Sequence, residues 1–105
     1  MLDTFPYNGV TTSFEALWMG IPVLTMRGYN FNARCGESIN KNLKLTSMIA
    51  DDENDYISKA KEFSDKEKLV NTRNIVFDNL LESPLFDGKK FSKEFLSSLE
   101  AIYNK

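Results

Sequence analysis

The amino-acid sequence predicts an α/β fold that starts with a short parallel β-α-β unit and continues mostly as helices. Three observations predict it. Apolar residues Phe14, Leu17 and Trp18 have the spacing of one helix face. PVLTM, residues 22–26, is a short and almost continuously apolar run, as in strands buried on both faces. Helical spacing then recurs through the second half of the chain, so helices should dominate there.

The elements of the β-α-β unit follow in order. Residues 2–4 are interpreted as the end of a strand, and FPYNG, residues 5–9, is a loop with proline and Asn-Gly turn signals. Thr12 and Glu15 have the spacing of a capping box, which opens the helix. Gly20 stops that helix before PVLTM. Because a helix joins the two strands, we expect them to be parallel.

The middle of the chain contains one further helix and one further strand. A helix is predicted from about Ala33 to Lys41, capped by Asn30 or Asn32. SMIA, residues 47–50, is predicted as a last short strand. The acidic residues 51–53 are interpreted as a helix start rather than a metal site, because acidic side chains favour the positive end of the helix dipole.

Helices fill the rest of the sequence. Residues 56–63 form one, and Ser64 with Glu67 has capping-box spacing for a longer helix that runs to Leu81. Pro84 and Gly88 are interpreted as a break in the helical pattern. A final helix then carries apolar residues at Phe91, Phe95, Leu99, Ile102 and Tyr103.

Length and composition limit the possible classes of protein. The 105 residues suit a single domain, with a β-α-β region over residues 1–50 and a helical region over residues 51–105. A net charge of −2 gives no basic field for nucleic acid or an anionic membrane. We see neither a signal peptide nor an apolar run near the ~20 residues of a membrane span. The single cysteine, Cys35, excludes an internal disulfide and favours a cytoplasmic location.

The absence of histidine excludes several kinds of site within this chain. With no histidine and one cysteine, the sequence cannot build a structural zinc site or a Ser-His or Cys-His nucleophile by itself. We therefore expect no metal site here, and we assign no catalytic residue to this chain. Carboxylates, hydroxyls, Lys, Arg and backbone amides are the groups left for binding.

The segment NGVTTS, residues 8–13, is the candidate binding site. In open parallel sheets, ligands bind beyond the carboxyl ends of strands, and a helix start there offers free amides and about half a positive charge. Gly9 has no side chain to block close approach, and Thr11 and Thr12 add hydroxyl donors. This combination suits a diphosphate, and Glu15 one turn later suits the two hydroxyls of a ribose.

A reading without a ligand fits the same residues. Asn8-Gly9 is then only a turn, and Thr12 with Glu15 is only a capping box. The pattern is neither a Walker loop nor GxGxxG, so spacing alone favours this simpler interpretation.

The sequence also resembles a known family. LDTFPYNGVTTSFEALWMGIPVLTM, residues 2–26, is similar to the nucleotide-binding segment of the protein O-linked N-acetylglucosamine transferases and their SPINDLY-like relatives. RGYNFNARCGESI, residues 27–39, resembles that family's Pro-Gly-x-x-x-x-Ser-Arg-x-x-x-Ser segment. SPLFD, residues 83–87, and the closing aromatic helix extend the resemblance over nearly the whole chain. The resemblance implies a partial, Rossmann-like half of the C-terminal domain of a GT-B glycosyltransferase.

The resemblance also implies roles for individual residues. Thr11 and Thr12 match the family's diphosphate-contacting pair, and Asn8 and Gly9 match the loop that lets the phosphates approach. Glu15 stands where the family has an aspartate that holds the ribose.

Four positions depart from the family pattern or need a separate interpretation. Val10 replaces a histidine of the animal enzymes, Arg27 replaces a proline and Ala33 replaces a serine. Arg34 matches a family arginine. For Arg34 we favour a structural role, in binding carboxylates or helix ends, over catalysis.

The function that the resemblance implies is the nucleotide-sugar-binding segment of an inverting, UDP-GlcNAc-type protein O-glycosyltransferase. Its donor substrate is a UDP-sugar, with no cofactor and no metal. The family's uracil contacts and facing N-terminal domain would lie upstream of Leu2. We therefore expect no activity from this chain alone, and a partner in the missing N-terminal part or a second chain.

An alternative function is a non-catalytic dimerisation or docking module with a vestigial nucleotide loop. The sheet predicted here has exposed edges, and an exposed edge invites pairing with another copy or another protein. Homo-oligomer formation through that edge would be the expected consequence.

Overall fold

The computed structural model describes residues 1–104, which form five α-helices and a small parallel sheet. The mixed α/β class predicted from the sequence is confirmed. Three 3-10 turns precede or connect these elements, at Phe31–Ala33, Thr46–Met48 and Pro84–Phe86. In chain order the main elements are α1 (Thr11–Trp18), β1 (Thr25–Met26), α2 (Cys35–Asn42), β2 (Ile49–Ala50), α3 (Glu53–Glu62), α4 (Lys66–Leu80) and α5 (Gly88–Tyr103).

The strands are parallel, as the β-α-β pattern predicts. β1 pairs with β2 in a register that places Thr25 opposite Ile49. On the other side, Leu2 forms an isolated parallel bridge with Leu24. The strands are shorter than the sequence suggests, since residues 22–26 contribute two residues of regular strand and one bridge residue.

The hydrophobic core lies where α1, α2 and α4 meet the sheet. Leu17, Val23, Leu43 and Val76 are almost completely buried there. Burying an aliphatic side chain of this size stabilises a fold by about 1.5–3 kcal/mol. No residue of α5 belongs to this core.

The first predicted capping box is wrong. α1 begins after Val10, and no side chain forms a capping hydrogen bond with its first turn. Thr12 lies inside the helix rather than before it, so its hydroxyl is not at the capping position. The Thr-x-x-Glu spacing is present, but the helix starts two residues before that spacing requires.

The second predicted capping box is also wrong. The cap of α4 is Asp65, whose carboxylate accepts a hydrogen bond from the Glu67 amide at 3.4 Å. Ser64 instead donates to the Lys61 carbonyl at 2.6 Å, at the end of α3. Asp65 is as good a cap as serine and lies one residue closer to the helix, so it takes the capping position.

The predicted break between the last two helices is shorter than expected. Gly88, interpreted from the sequence as part of that break, is the first residue of α5.

The other predictions about helix starts have different outcomes. Asn30 accepts a hydrogen bond from the Ala33 amide at 3.1 Å, but it caps the 3-10 turn Phe31–Ala33 and not α2, which begins at Cys35. Asp52 accepts one from the Asp55 amide at 2.7 Å, so the acidic run does open α3. Gly20 follows α1 with a φ of 75°, which fits its predicted role as a helix stop.

α5 extends away from the core. It is 16 residues long, and all of its residues are exposed. Its only substantial neighbour among residues 1–104 is the turn Pro84–Phe86. No helix within the described residues is both long enough and apolar enough to cross a membrane.

Candidate functional site

The start of α1 is open. Thr11 and Thr12 are both exposed, and no side chain caps the helix. Within residues 1–104, neither of their backbone amides donates to a protein acceptor. The amides of the first turn and the positive end of the helix dipole therefore face solvent.

The start of α2 differs, because the Asn8 side chain accepts a hydrogen bond from one of its first amides. The Gly36 amide donates to Asn8 Oδ1 at 3.0 Å. Aspartate side chains cap α3, α4 and α5 in the same way. Among the α-helices that the structure describes, α1 is thus the one whose first amides have no side-chain partner.

Asn8 holds the loop ahead of α1 in place. Its side chain is 1% exposed, and besides accepting from Gly36 it donates from Nδ2 to the Thr4 carbonyl at 2.8 Å. Its backbone amide donates to the Asn32 carbonyl at 2.8 Å. Asn8 therefore joins the strand end, the α1 loop and the start of α2. Both polar atoms of its side chain are hydrogen-bonded inside the protein, so the structure directs this side chain away from a diphosphate bound at α1.

Asp3 is a residue of this site that the sequence interpretation missed. Its carboxylate is buried and accepts three hydrogen bonds: from the Thr4 amide at 2.9 Å, the Gly9 amide at 2.9 Å and the Thr25 hydroxyl at 2.8 Å. It therefore fixes the loop to the sheet. The available signal was an acidic residue at a strand end, directly ahead of a glycine-containing loop.

Gly9 lies between Asp3 and the first turn of α1. A side-chain carbon at this position would lie 2.6 Å from Thr12 Oγ1, which is too close. Glycine lets the loop approach the threonine hydroxyl in this way, and a larger residue would require the exposed Thr12 side chain to rotate. The Gly9 amide already donates to Asp3. Gly9 can therefore leave space for a ligand, but its amide is not free to donate a hydrogen bond to that ligand.

Glu15 is exposed one turn further along α1. It is four residues after Thr11, so the two residues are neighbours on the helix surface. The structure gives Glu15 no ion pair within residues 1–104. Its carboxylate is therefore available beside the open helix start. The structure thus brings together Gly9, Thr11, Thr12 and Glu15 and places Asn8 behind them.

Arg34 lies at the start of α2, in a cluster around Glu37. The Glu37 side chain is 4% exposed and contacts Lys41 Nζ at 2.8 Å, Arg34 Nε at 3.2 Å and Arg27 Nε at 3.1 Å. These cations, Lys41 first, lower the pKa of Glu37 from 4.5 to about 2, although burial acts in the opposite direction. Arg34 thus binds a carboxylate at a helix start, which is the kind of contact that a structural role predicts.

An open apolar groove lies beside the α1 start. Its volume is about 630 Å³. Val10 and Phe14 line it at the start of α1, Arg34 and Ser38 at the start of α2, and Leu85 from the turn Pro84–Phe86. Within the described residues, no group of three or more His, Cys, Asp or Glu is arranged to hold a metal.

Replacing Glu37 should change how stability depends on pH. Its folded pKa of about 2 lies below its ordinary 4.5, so the ionised form stabilises the fold above pH 4.5 and that contribution is lost between pH 4.5 and 2. We expect Glu37→Gln to unfold more easily at pH 7 by roughly 1–2 kcal/mol, since its partners are about half exposed and solvent weakens the pairs. The difference should shrink as the pH falls to 2.5. Urea unfolding at several pH values measures it.

The control for Glu37 is Glu100→Gln, on the exposed surface of α5. This variant should follow the wild type at every pH. A Glu37→Gln curve parallel to the wild-type curve from pH 7 to 2.5 would contradict the assignment.

Comparison with known proteins identifies the family. Residues 1–95 match the family model described as glycosyl transferase family 41. The chain belongs to this family. Membership confirms the resemblance seen in the sequence, and the fold is that of part of a GT-B glycosyltransferase.

Curated relatives of this family 41 chain carry names from the same family. A protein of Solanum lycopersicum, named probable UDP-N-acetylglucosamine–peptide N-acetylglucosaminyltransferase SPINDLY, is 39% identical over 97% of this chain and 11% of its own length. The UDP-N-acetylglucosamine–peptide N-acetylglucosaminyltransferase of Caenorhabditis elegans is 30% identical over 99% of this chain and 9% of its own length. The chain therefore spans about a tenth of these relatives.

A solved structure has the same fold over nearly the whole chain. A variant of the Thermobaculum terrenum O-GlcNAc transferase matches with a TM-score of 0.88 and 31% identity. The match covers 97% of this chain and 20% of the other. The family 41 chain is thus one part of a larger architecture.

Proposed function

We propose that this chain is the nucleotide-sugar-binding segment of an inverting, UDP-GlcNAc-type protein O-glycosyltransferase. The observation that carries the proposal is the open start of α1, where two exposed threonines flank amides that no side chain caps. A diphosphate at this position would accept hydrogen bonds from the amides and hydroxyls of Thr11 and Thr12. Family membership supports the choice of a UDP-sugar as the ligand.

The residues around α1 would act on the leaving group of the transfer. When the bond between sugar and diphosphate breaks, negative charge grows on the diphosphate, and oriented donors stabilise that charge. The amides and hydroxyls of Thr11 and Thr12 supply such donors, and the helix dipole adds a partial positive charge. Glu15 would accept hydrogen bonds from the ribose hydroxyls. In this proposal no metal is required to hold the diphosphate.

The chain is not expected to catalyse the transfer alone. A charge at a helix start gains about 0.3–1 kcal/mol, and up to ~2 kcal/mol in a partly buried site. Enzymes typically lower a barrier by about 8–23 kcal/mol. One helix start therefore provides a small part of what is needed. The rest of the catalytic machinery, including the acceptor site, is proposed to come from the remaining part of such an enzyme.

Titration with UDP tests the proposal. We expect saturable amide shifts in an NMR spectrum at Gly9, Thr11 and Thr12 as UDP rises to millimolar concentrations. Removing both hydroxyls, in Thr11→Ala/Thr12→Ala, should weaken binding about tenfold or more, because a hydrogen bond to a charged group contributes roughly 1.5–3 kcal/mol. EDTA should leave the titration unchanged.

Thr46→Ala is the control, because Thr46 is an exposed threonine that begins the 3-10 turn Thr46–Met48 and does not belong to α1. Its UDP titration should equal that of the wild type. If millimolar UDP shifts no amide near α1, or if the double variant binds as well as the wild type, the proposed site is wrong.

The exposed apolar surface of α5 favours a second candidate, a docking module whose nucleotide loop no longer binds. If the chain does not bind UDP and sediments as a dimer, that result would support the docking function instead. In both cases we place the protein in the cytoplasm, for which its one, unpaired cysteine is the supporting observation.

A further inference from the structure

We propose that Asn8-Gly9 is a deamidation site that the fold keeps closed, and that Asp3 is the residue that keeps it closed. Opening of the loop ahead of α1 would then convert Asn8 irreversibly to aspartate or isoaspartate. The inference requires neither nucleotide binding nor turnover, so it stands or fails separately from the proposed function.

Asn8-Gly9 is the one Asn-Gly pair in the sequence. In such a pair the glycine nitrogen loses its proton and attacks Cγ of the asparagine side chain. The side-chain nitrogen leaves as ammonia, and a cyclic succinimide remains. Water then opens the succinimide at either carbonyl, which yields aspartate or isoaspartate. Glycine favours the attack, because it has a flexible backbone and no side chain that shields its nitrogen.

The folded chain restrains the attacking nitrogen. The Gly9 amide donates to Asp3 Oδ1 at 2.9 Å, and Asp3 is 5% exposed. Removing the amide proton would place a second negative charge against this buried carboxylate, which is electrostatically unfavourable. The Gly9 carbonyl is held as well, because it accepts a hydrogen bond from Ser13 Oγ at 3.1 Å. The nitrogen is therefore kept protonated and fixed in position.

The group that is attacked is restrained by different partners. Asn8 Oδ1 accepts from the Gly36 amide at 3.0 Å, and Asn8 Nδ2 donates to the Thr4 carbonyl at 2.8 Å. The residue is 1% exposed, so little water reaches it. The hydrogen bond from Nδ2 must break before this nitrogen can leave as ammonia. Deamidation therefore requires the loop to open.

The residues just before Asn8 offer little apolar resistance to opening. All four residues of segment 4–7 are exposed. Phe5 packs against Tyr56 with ring centroids 5.4 Å apart, but Phe5 remains 43% exposed. Segments with few buried apolar contacts open locally at a lower free energy than the core. The hydrogen bonds of Asp3 and Asn8 therefore decide how often the loop opens.

Conversion of Asn8 would disturb the loop. Aspartate keeps an oxygen for the Gly36 amide, but it has no donor for the Thr4 carbonyl. Burying its charge without a partner is also costly. Isoaspartate in addition lengthens the main chain by one carbon directly before Gly9. Both products should loosen the loop and shift the start of α1.

Mass spectrometry of the 105-residue chain during incubation at mildly alkaline pH tests the proposal. The readout is the mass gain of the peptide containing Asn8 when its amide is replaced by a carboxyl group. We expect this gain to be roughly a hundredfold slower, or slower still, in native buffer than in urea, because the rate follows the population of the opened loop. The slowing should be at least as large as the protection of the Gly9 amide against hydrogen exchange.

Three results with the wild type would refute the proposal. The first is conversion in native buffer at the rate seen in urea. The second is an Asn8 that stays intact in urea as well. The third is a Gly9 amide that exchanges freely while Asn8 stays intact, since the hydrogen bond to Asp3 would then not be what protects the site.

Variants test the role of Asp3 directly. Asp3→Ala should convert about tenfold faster than the wild type or more in native buffer, because a hydrogen bond to a charged group is lost. Val76→Ala is the control, since it weakens the core at a buried position of α4 and removes no hydrogen bond of the loop. It should convert more slowly than Asp3→Ala while both remain folded. Equal rates in the two variants would contradict a specific role for Asp3.

Asn8→Asp reproduces one product and tests the consequence. It should melt roughly 5 °C or more below the wild type, because a buried acceptor and a buried charge are left without partners. Asn74→Asp makes the same chemical change at an exposed position of α4 and should melt like the wild type. If the two variants melt alike, conversion of Asn8 does not disturb the loop.

Discussion

Replacing Asp3 by alanine is expected to lower the free energy of unfolding by roughly 2–5 kcal/mol, because each buried donor that loses its acceptor costs about 1–3 kcal/mol. The substitution leaves the Gly9 amide and the buried Thr25 hydroxyl without their acceptor. The loop ahead of α1 should then lose its attachment to the sheet. Urea unfolding measures the first effect, and faster hydrogen exchange at the Gly9 amide measures the second.

Asp3→Asn separates hydrogen bonding from charge. Asparagine keeps the shape, with an oxygen that can accept from Gly9 and an amide that can donate to the Thr25 oxygen. It should therefore recover part of the lost stability. Asp78→Ala, at an exposed position of α4, is the control and should unfold close to the wild type. If Asp3→Ala were as stable as Asp78→Ala, Asp3 would not hold the loop.

Gly36→Ala is the second substitution with a large expected effect. A methyl group at this position would meet the Thr25 side chain and lie 2.5 Å from Asp3 Oδ2. Thr25 and Asp3 are both buried and are hydrogen-bonded to each other, so they have little room to move. Overpacking of this kind costs about 1–3 kcal/mol, and we expect the upper part of that range. The midpoint of urea unfolding should fall accordingly.

Gly88→Ala provides the control, because a methyl group there meets nothing within 4 Å. Gly88 is also the first residue of a helix, where alanine is the better helix former. This variant should be equal to the wild type or slightly more stable. A Gly36→Ala protein with unchanged stability would show that α2 can move away from the sheet at little cost.

The sequence predicts which segment forms the candidate site, but it does not predict the hydrogen bonds that hold this segment in place. The segment 8–13 was found because glycine and paired threonines at a helix start have a chemical meaning by themselves. The first capping box was predicted wrongly, and the error matters, because α1 without a cap is the more open site. Whether Thr11, Thr12 and Glu15 bind a UDP-sugar stays a prediction.

Asn8 and Asp3 show why the rest could not be predicted. The sequence predicts Asn8 as a turn residue or as part of the loop that lets the phosphates approach, yet its side chain reaches Gly36, 28 positions away. Asp3 accepts from Thr25, 22 positions away. Spacing rules describe neighbours on one element, and they contain no information about which distant donors will meet a given oxygen.

Local patterns predict the α/β class, the parallel direction of the strands, the approximate order of helices and the family, because helical and strand periodicities and the 2–26 motif involve neighbouring residues. The folded structure adds that Asp3 and Asn8 anchor the loop, that position 36 needs glycine and that, within residues 1–104, no residue of α5 is buried. These properties depend on which surfaces meet. Burial and hydrogen bonding between distant segments exist only after the chain has packed.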